Sequence, residues 1–393
     1  MKITSQHDSS ADTSNTLTET RFFTFAQETP LLLRNGERLG PVTLAYETYG
    51  ELSPARDNAI LLFHALSGSQ HAAGYCPQVP GVGRRWTSEC QVGWWDGFIG
   101  PGKALDTQRF YVICANYLGG CYGSTGPSSI NPATGRPYGS GFPRLTLADI
   151  VDTQVRLLDH LGIDCLQAVV GASLGGIMGL SLATRYPERV RIVIPIAAAI
   201  EVTPLQRLHN LEQVLAIQQD PDYRDGDYYD GPAPDQGLML ARIISHKTFV
   251  SLHALEERAR MEIVRAEKGF SAYKVTSALE SYMLHQGRKF VQRFDANTYL
   301  RIVDAWQRLS LSEDAGGINL DELFARCRDQ KYLIFSIDSD VCFYPDEQEE
   351  LVRVLKEAGV RSMRLTVHSE KGHDAFLVEP ELFTPHLVHT LSG

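Results

Sequence analysis

The sequence predicts an α/β fold with a mostly parallel sheet, and two patterns indicate it. Short runs of β-branched and aliphatic residues recur along the chain, and amphipathic helical patterns separate many of them. Continuous apolar runs are typical of strands buried on both faces, as in a parallel sheet that helices cover. Alternating strands and helices are typical of α/β proteins. The predicted strands lie at 42–46, 59–63, 110–115, 167–172, 193–199, 332–337 and 363–367.

Two of the predicted helices have clear first and last residues. Thr146 has the side chain of an N-cap, and the helical spacing that follows it ends at Gly162, a residue that commonly stops helices. Pro345 begins the second helix, which has acidic residues in its first turn and Gly359 at its end.

The alternation stops between about 203 and 313, where helical patterns such as 251–269 and 276–294 replace the strand-like runs. At 393 residues the chain also exceeds the size at which one hydrophobic core stops growing. The expected organisation is a flexible N-terminal arm at 1–20, a core domain of 21–202 and 314–393, and an inserted helical lid at 203–313.

Composition excludes several classes of protein. Hydrophobic residues at 43% and charged residues at 21% are typical of a globular protein, and no apolar run is long enough for a membrane helix. The net charge of −10 argues against nucleic acid as a partner. The first twenty residues lack the apolar segment of a secretory signal, and the seven cysteines form no CxxC pair. We therefore expect a cytoplasmic protein with reduced thiols.

A candidate nucleophile lies in the segment GASLGG, where Gly171, Ser173 and Gly175 form a GxSxG pattern. A predicted strand precedes the pattern and a predicted helix follows it. In this context small flanking residues let the backbone turn sharply and expose the serine hydroxyl, as in the α/β-hydrolase fold. The amides at the start of the helix can then stabilise negative charge on a reacting oxygen.

A serine nucleophile needs a base and a third group that orients the base, in the order Ser, Asp, His in this fold. Asp340 follows the predicted strand at 332–337, and His373 lies in a loop after the strand at 363–367. We predict that these residues complete a triad with Ser173. Asp338 and His368 remain alternatives, because Asp338 shares the parity of Asp340 along an extended strand.

The segment LLFHALSGSQHAAG leaves a predicted strand at the position from which this fold takes an oxyanion donor. We assign the two donors to the backbone amides of Leu66 and Leu174. His64 and His71 lie in the same segment, but no further side chain completes a metal-ligand set with recognisable spacing, so we predict no metal.

With these residues placed, the chain closely resembles the homoserine O-acyltransferases of methionine biosynthesis that have the α/β-hydrolase fold. The blocks GWWDGFIGPGKALDT, GSTGPSSINP, GASLGG, GRKFVQRFDANTYL and KGHDAFLVEP carry the resemblance, in collinear order from about residue 22 to 380. The resemblance implies a ping-pong transfer of an acyl group from acyl-CoA to homoserine through an acyl-serine. It also implies CoA thioester as cosubstrate with no resident cofactor, and a homodimer formed through the helical lid.

The resemblance assigns further roles to individual residues. Arg242 would bind the substrate carboxylate and Asp374 the substrate amine, although Arg242 considered alone reads as a solvated helix residue. A guanidinium fork matches a carboxylate, and an ammonium group favours a nearby acid.

The acyl donor and the acceptor depend on finer features. Succinyl users in the family carry an arginine two residues after the triad aspartate, where this chain has Cys342, and a buried succinyl carboxylate needs a cation. Acetyl-CoA is therefore the expected donor. The chain reads SDVCFYP where family members usually read SDWLFP or SDWRFP, so the donor pocket departs from the family pattern. A homoserine O-succinyltransferase, a serine O-acyltransferase and a serine esterase remain alternatives, and a non-catalytic ligand-binding protein is a weaker one.

Overall fold

The computed structural model describes residues 16–265 and 273–392, with an eight-stranded sheet at its centre. The strands are β1 (Arg21–Phe25), β2 (Val42–Tyr49), β3 (Ala59–Phe63), β4 (Tyr111–Ala115), β5 (Leu166–Ala172), β6 (Val190–Ile196), β7 (Lys331–Ile337) and β8 (Arg361–Val367). Their order in the sheet is β1-β2-β4-β3-β5-β6-β7-β8. Strands β3 to β8 pair in parallel, and β2 is antiparallel to both neighbours. The predicted fold class, a mostly parallel sheet flanked by helices, is confirmed.

Helices cover both faces of this sheet. The α-helices of the described chain are α1 (Leu147–Leu161), α2 (Leu174–Arg185), α3 (Pro204–Gln218), α4 (Asp235–Phe249), α5 (Leu252–Arg260), α6 (Ala278–Arg293), α7 (Ala296–Gln307), α8 (Leu311–Asp314), α9 (Leu320–Ala325), α10 (Pro345–Glu357), α11 (Ala375–Val378) and α12 (Pro380–Ser392). Alternate strand residues enter two separate cores: Leu61 packs with the core that contains α1, α2 and α10, and Ile60 with the core that contains α12. No helix in the described part of the chain is long and apolar enough to cross a membrane.

The seven predicted strands all form, but the sequence missed β1. This strand lies at the edge of the sheet, and most of its side chains are exposed or partly exposed, so it lacks a continuous buried run. The predicted strand at 193–199 ends earlier, at Ile196, because Ala197 takes a φ of 48°, which strands do not allow.

The two helices whose ends were predicted, α1 and α10, begin and end close to the expected residues. Thr146 caps α1 through a capping box with Asp149, and Gly162 ends the helix at a φ of 68°. Pro345 begins α10, and Gly359 follows it at a φ of 75°.

Helices α3 to α9 lie between β6 and β7, and no strand occurs among the described residues of this interval. The expectation of one helix over 251–269 is wrong within the described residues, because α5 ends at Arg260. Ala254, Leu255 and Ala259 of α5 are buried, whereas the following Met261 and Ile263 are exposed, so packing supports only the first part of the segment. The lid boundaries themselves stay a prediction.

The last five residues of the predicted N-terminal arm contact the core domain. Leu17 bridges to Tyr75, and the buried Thr20 hydroxyl donates a 2.7 Å hydrogen bond to Glu47. Residues 16–20 therefore pack against the body of the protein, and the rest of the predicted arm, 1–15, lies outside the described residues.

Helix α2 approaches the sheet so closely that side chains are excluded from the contact. A Cβ atom on Gly171 would lie 2.2 Å from the carbonyl oxygen of Gly175, and one on Gly175 would lie 2.2 Å from the carbonyl oxygen of Phe63. Real Cβ atoms do not come this close to backbone oxygen, so both positions require glycine for α2 to sit where it does.

We expect Gly175→Ala to lower the free energy of unfolding by about 1–3 kcal/mol, because the added methyl group forces α2 away from β3. Gly179→Ala is a matched control on the same helix: its Cβ would lie 3.5 Å from the Val169 side chain, an ordinary contact. Alanine there should be neutral or stabilising by up to about 1 kcal/mol. Chemical denaturation measures both values, and equal stabilities would contradict a tight contact at Gly175.

Candidate active site

Ser173 occupies a strained turn between β5 and α2. Its φ of 57° and ψ of −129° lie outside the regions that L-residues normally adopt, a conformation that costs about 1–3 kcal/mol. A 2.9 Å hydrogen bond from the Ser173 amide to the carbonyl of Ile196 in β6 helps to hold the turn. The serine side chain lines a cavity of about 260 Å³. The turn therefore places the serine side chain at the carboxyl end of the sheet, in the wall of the cavity.

Asp340 and His373 form the buried pair that the sequence predicts. His373 Nδ1 lies 2.6 Å from Asp340 Oδ2, and both side chains are almost inaccessible to solvent. The other carboxylate oxygen accepts hydrogen bonds from the amides of Cys342 at 2.7 Å and Phe343 at 2.9 Å. His373 lines the same cavity as Ser173, and its buried Nε2 has no hydrogen-bond partner among the described residues. That nitrogen is therefore available to accept a proton.

The alternative residues form a separate pair at the surface. His368 Nδ1 lies 2.8 Å from Asp338 Oδ2, and 83% of the His368 side chain is exposed. Neither residue lines the cavity that contains Ser173. The structure thus brings Asp340 to His373 and Asp338 to His368, a distinction that strand parity could not make.

The environment of His373 favours its charged form. Burial lowers the pKa of the imidazole, but the nearby acidic groups, above all the adjacent Asp340 carboxylate, together outweigh burial, so the pKa lies above its ordinary value. Asp374 and Glu347 add to the rise. The imidazole is consequently a stronger base than a histidine in water, and it holds an abstracted proton more firmly.

Of the two predicted oxyanion donors, Leu174 directly follows Ser173 and Leu66 lines the same cavity as Ser173. Leu174 is the first residue of α2, so its amide cannot reach an intrahelical carbonyl. Leu66 lies in a turn after β3 that the 3.0 Å hydrogen bond from Gly68 N to Ala65 O closes, and within the described chain its amide donates to no backbone carbonyl. Both amides are thus able to bind a developing oxyanion.

Arg242 and Asp374, to which the resemblance assigns substrate binding, line the cavity together with Ser173 and His373. Arg242 lies on α4, and its guanidinium stacks on Phe249 at 5.3 Å. Desolvation lowers the pKa of Arg242, and burial raises the pKa of the Asp374 carboxyl against the opposing charge of Arg242. A cation and an acid therefore stand in one cavity beside the candidate nucleophile, each partly stripped of water.

Sequence reasoning missed several other residues of the cavity wall. They include His71, Glu89, Cys90, Trp94, Tyr122 and Arg293. Arg293 is the last residue of α6. Cations are common at this position because they stabilise the helix dipole, so an arginine there does not by itself indicate a functional site.

Cys342 does not line this cavity. It lines a second cavity, and Leu66 and Phe249 contribute to the walls of both. Burial raises the pKa of the Cys342 thiol well above its ordinary value, so the side chain is neutral.

The histidines that suggested a metal have other partners. His64 stacks on Tyr117 at 3.6 Å, and burial lowers its pKa to about 4. His71 Nδ1 lies 2.8 Å from the buried Glu47 carboxylate. Within 16–265 and 273–392, no three His, Cys, Asp or Glu side chains cluster as metal ligands would.

Comparison with known proteins places this geometry among enzymes. The family model described as "alpha/beta hydrolase fold" matches residues 58–380. The homoserine O-acetyltransferase of Solidesulfovibrio magneticus is 42% identical over 362 residues, covering 92% of this chain and 89% of that one. The homoserine O-succinyltransferase of Nitrosomonas europaea is 42% identical over 357 residues, covering 91% and 92%.

Two solved structures are similar over nearly the whole chain. The homoserine O-acetyltransferase from Bacillus anthracis has a TM-score of 0.84 at 26% identity and covers 96% of this chain and 98% of that one. Esterase E22 has a TM-score of 0.83 at 27% identity and covers 95% and 100%. The same architecture is thus present in a transferase and in an esterase.

A serine-directed fluorophosphonate tests the Asp340–His373 pair. Labelling of Ser173 requires neutral His373 as the base, so its rate should rise with pH through a pKa above the ordinary histidine value. Asp340→Asn should slow labelling by at least about a hundredfold, since the carboxylate fixes the imidazole tautomer, and should move the pH midpoint down.

Asp338→Asn is the matched control, because it alters the exposed pair with His368 and should change the labelling rate by less than about threefold. A larger loss for Asp338→Asn than for Asp340→Asn would contradict the assignment of the pair.

Proposed function

Because the chain belongs to the homoserine O-acetyltransferases of the α/β-hydrolase fold, we propose that it transfers an acetyl group from acetyl-CoA to the hydroxyl of L-homoserine. The observation that carries this proposal is the cavity in which Ser173, His373, Arg242 and Asp374 meet. A nucleophile, a base, a cation and an acid in one cavity match an acyl-enzyme reaction with an amino-acid acceptor.

The first half-reaction acylates Ser173. His373 Nε2 takes the hydroxyl proton as Oγ bonds to the thioester carbon, and the carbonyl oxygen becomes an oxyanion that the Leu66 and Leu174 amides stabilise. When the oxyanion collapses, the carbon–sulfur bond breaks and the CoA thiolate takes the proton from His373. Asp340 stabilises the imidazolium in between.

The second half-reaction transfers the acetyl group. Arg242 binds the carboxylate of homoserine and Asp374 its ammonium group, which places the hydroxyl beside the acyl-serine. His373 removes the hydroxyl proton during attack, and the same proton returns to Ser173 as the serine oxygen leaves. The enzyme is then regenerated and the product is the acetyl ester of homoserine.

The second cavity supports acetyl rather than succinyl as the acyl group. Its described lining includes Gln206, Asn210, Gln213, Ser245, Thr248 and Cys342, but no arginine or lysine. The lining also includes His209, but a succinyl carboxylate that entered this space would lose water without meeting a permanent cation, which is unfavourable. The neutral Cys342 occupies the position at which the resemblance places the arginine of succinyl users.

Turnover with different donors and acceptors tests the proposed function. In the absence of acceptor, acetyl-CoA should release a burst of free CoA equal to the number of active sites, and homoserine should then sustain turnover. Acetyl-CoA should exceed succinyl-CoA, and homoserine should exceed serine, by at least tenfold in kcat/KM, about 1.4 kcal/mol.

Ser173→Ala is the control and should abolish the burst. Steady release of CoA without homoserine, at the rate seen with it, would identify a hydrolase instead. A tenfold preference for succinyl-CoA would contradict the role of Cys342.

A homodimer through the helical region is supported by an apolar stripe on α3. Leu205, Leu208, Leu211 and Leu215 recur at helical spacing and are between 43% and 58% exposed. Leu240 of the adjacent α4 is 47% exposed as well. A second copy of the chain would bury this surface.

All seven cysteines are free thiols, which supports the expected cytoplasmic location.

The paired substitution Leu208→Glu and Leu211→Glu should convert the dimer to a monomer, because it places two charges in an apolar interface. Light scattering after size-exclusion chromatography measures the mass. Leu32→Glu is the control: this leucine is 62% exposed but lies outside α3 and α4, so the substitution should leave the dimer intact. A dimeric paired variant would show that α3 is not the interface.

A further inference from the structure

Arg293 connects the helical region to the turn that carries one oxyanion donor. Its Nη1 donates hydrogen bonds to the carbonyl oxygen of Ser67 at 3.1 Å and to the hydroxyl of Tyr122 at 3.2 Å. The Tyr122 hydroxyl in turn donates a 2.7 Å hydrogen bond to the Arg293 carbonyl. The guanidinium also stacks on Phe290, 5.1 Å from the ring centroid. The arginine is therefore fixed on three sides and has little freedom to move.

The contacted carbonyl belongs to the turn from Ala65 to Gly68. The Ser67 carbonyl shares a peptide plane with the Gly68 amide, which donates a 3.0 Å hydrogen bond to the Ala65 carbonyl, and that carbonyl shares a plane with the Leu66 amide. A rotation that changes the direction of the Ser67 carbonyl therefore disturbs this hydrogen bond and, through it, the Leu66 amide. The other side of the turn is held by His64, whose Nδ1 lies 2.7 Å from the carbonyl oxygen of Ala65. Among these contacts, Arg293 alone reaches the turn from the helical region.

We propose that Arg293 is a positioning residue, which holds the Ser67 carbonyl and thereby aims the Leu66 amide at the oxyanion. The inference rests on the proposed acylation of Ser173, and it deepens that function by coupling α6 to the first half-reaction. Arg242 has a different part, because it lies on α4 and its guanidinium packs on the rings of Phe249 and Phe290.

The expected effect is on the transition state and not on acceptor binding. Loss of an oxyanion donor typically lowers kcat by about 10²–10³, and misplacement by about 1 Å can cost about 10². Arg293→Gln should therefore slow the burst of CoA release by roughly ten- to a hundredfold, with the KM for homoserine changed by less than about twofold. Arg242→Gln should show the opposite pattern, a raised KM and an intact burst.

A trifluoromethyl ketone that adds to the serine hydroxyl gives a second readout, because its hemiketal oxygen occupies the oxyanion position. Its affinity should fall by at least about tenfold in Arg293→Gln. Arg301→Gln is the matched control, since Arg301 of α7 also donates to a loop carbonyl, that of Ser140 at 2.9 Å, but does not line the cavity. That control should bind the ketone as the wild type does.

The outcomes are distinct. Equal ketone affinity in the wild type and Arg293→Gln would overturn the inference, as would a raised homoserine KM with an unchanged burst, which would make Arg293 an acceptor ligand. If Arg293→Gln does not fold, Tyr122→Phe carries the test: it removes the hydroxyl that bonds Arg293, and unchanged ketone affinity there would also overturn the inference. Failure of the wild type to bind the ketone would instead count against Ser173 as the nucleophile.

Discussion

The contact between α2 and β3 is the constraint on which the geometry of the site depends. Gly175 packs directly on the carbonyl of Phe63, and Phe63 ends the strand that leads into the turn at Leu66. The same contact therefore sets the separation between the start of α2, which carries Leu174, and the turn that carries Leu66. The proposed oxyanion site needs two amides from segments over a hundred residues apart to meet, and this requires that no side chain stands between helix and strand.

Burial makes the electrostatics of the site depend on pairs of charges. Asp340 is inaccessible to solvent but accepts hydrogen bonds from His373 and from two amides, so its charge is compensated. The pKa of Arg242 is lowered and the pKa of Asp374 is raised, and both shifts disfavour the charged form of the side chain. An amino acid carries both a carboxylate and an ammonium group, and its binding would bring an anion to Arg242 and a second cation to Asp374, which already lies 3.9 Å from Arg258. The charges that line the cavity thus complement a zwitterion more than a neutral ester.

Local sequence patterns predicted those features that depend on neighbours along the chain. The buried strands, the caps of α1 and α10 and the turn at Ser173 belong to this group, since each is set by residue type within a few positions. Parity along a strand could not separate Asp338 from Asp340, because the choice depends on which histidine of the segment after β8 packs against each carboxylate. Arg293 and the separate cavity beside Cys342 depend on contacts between distant segments, so no local pattern revealed them. Strand β1 was missed because an exposed edge strand lacks a buried apolar run.

The fold is similar to that of a transferase and to that of an esterase, so the triad alone does not determine whether the enzyme transfers an acyl group or hydrolyses an ester. Water reaches any open acyl-enzyme, so an acceptor must compete by being held in place, where effective molarities can far exceed its concentration in solution. The features that can hold one lie outside the triad: Arg242 on α4 and Asp374 beside the base. Both come from segments that follow the nucleophile by many residues, and Arg242 lies in the helical region between β6 and β7. With the roles proposed above, specificity for transfer would depend on the place where that region meets the sheet, which is also where Arg293 contacts the turn from Ala65 to Gly68.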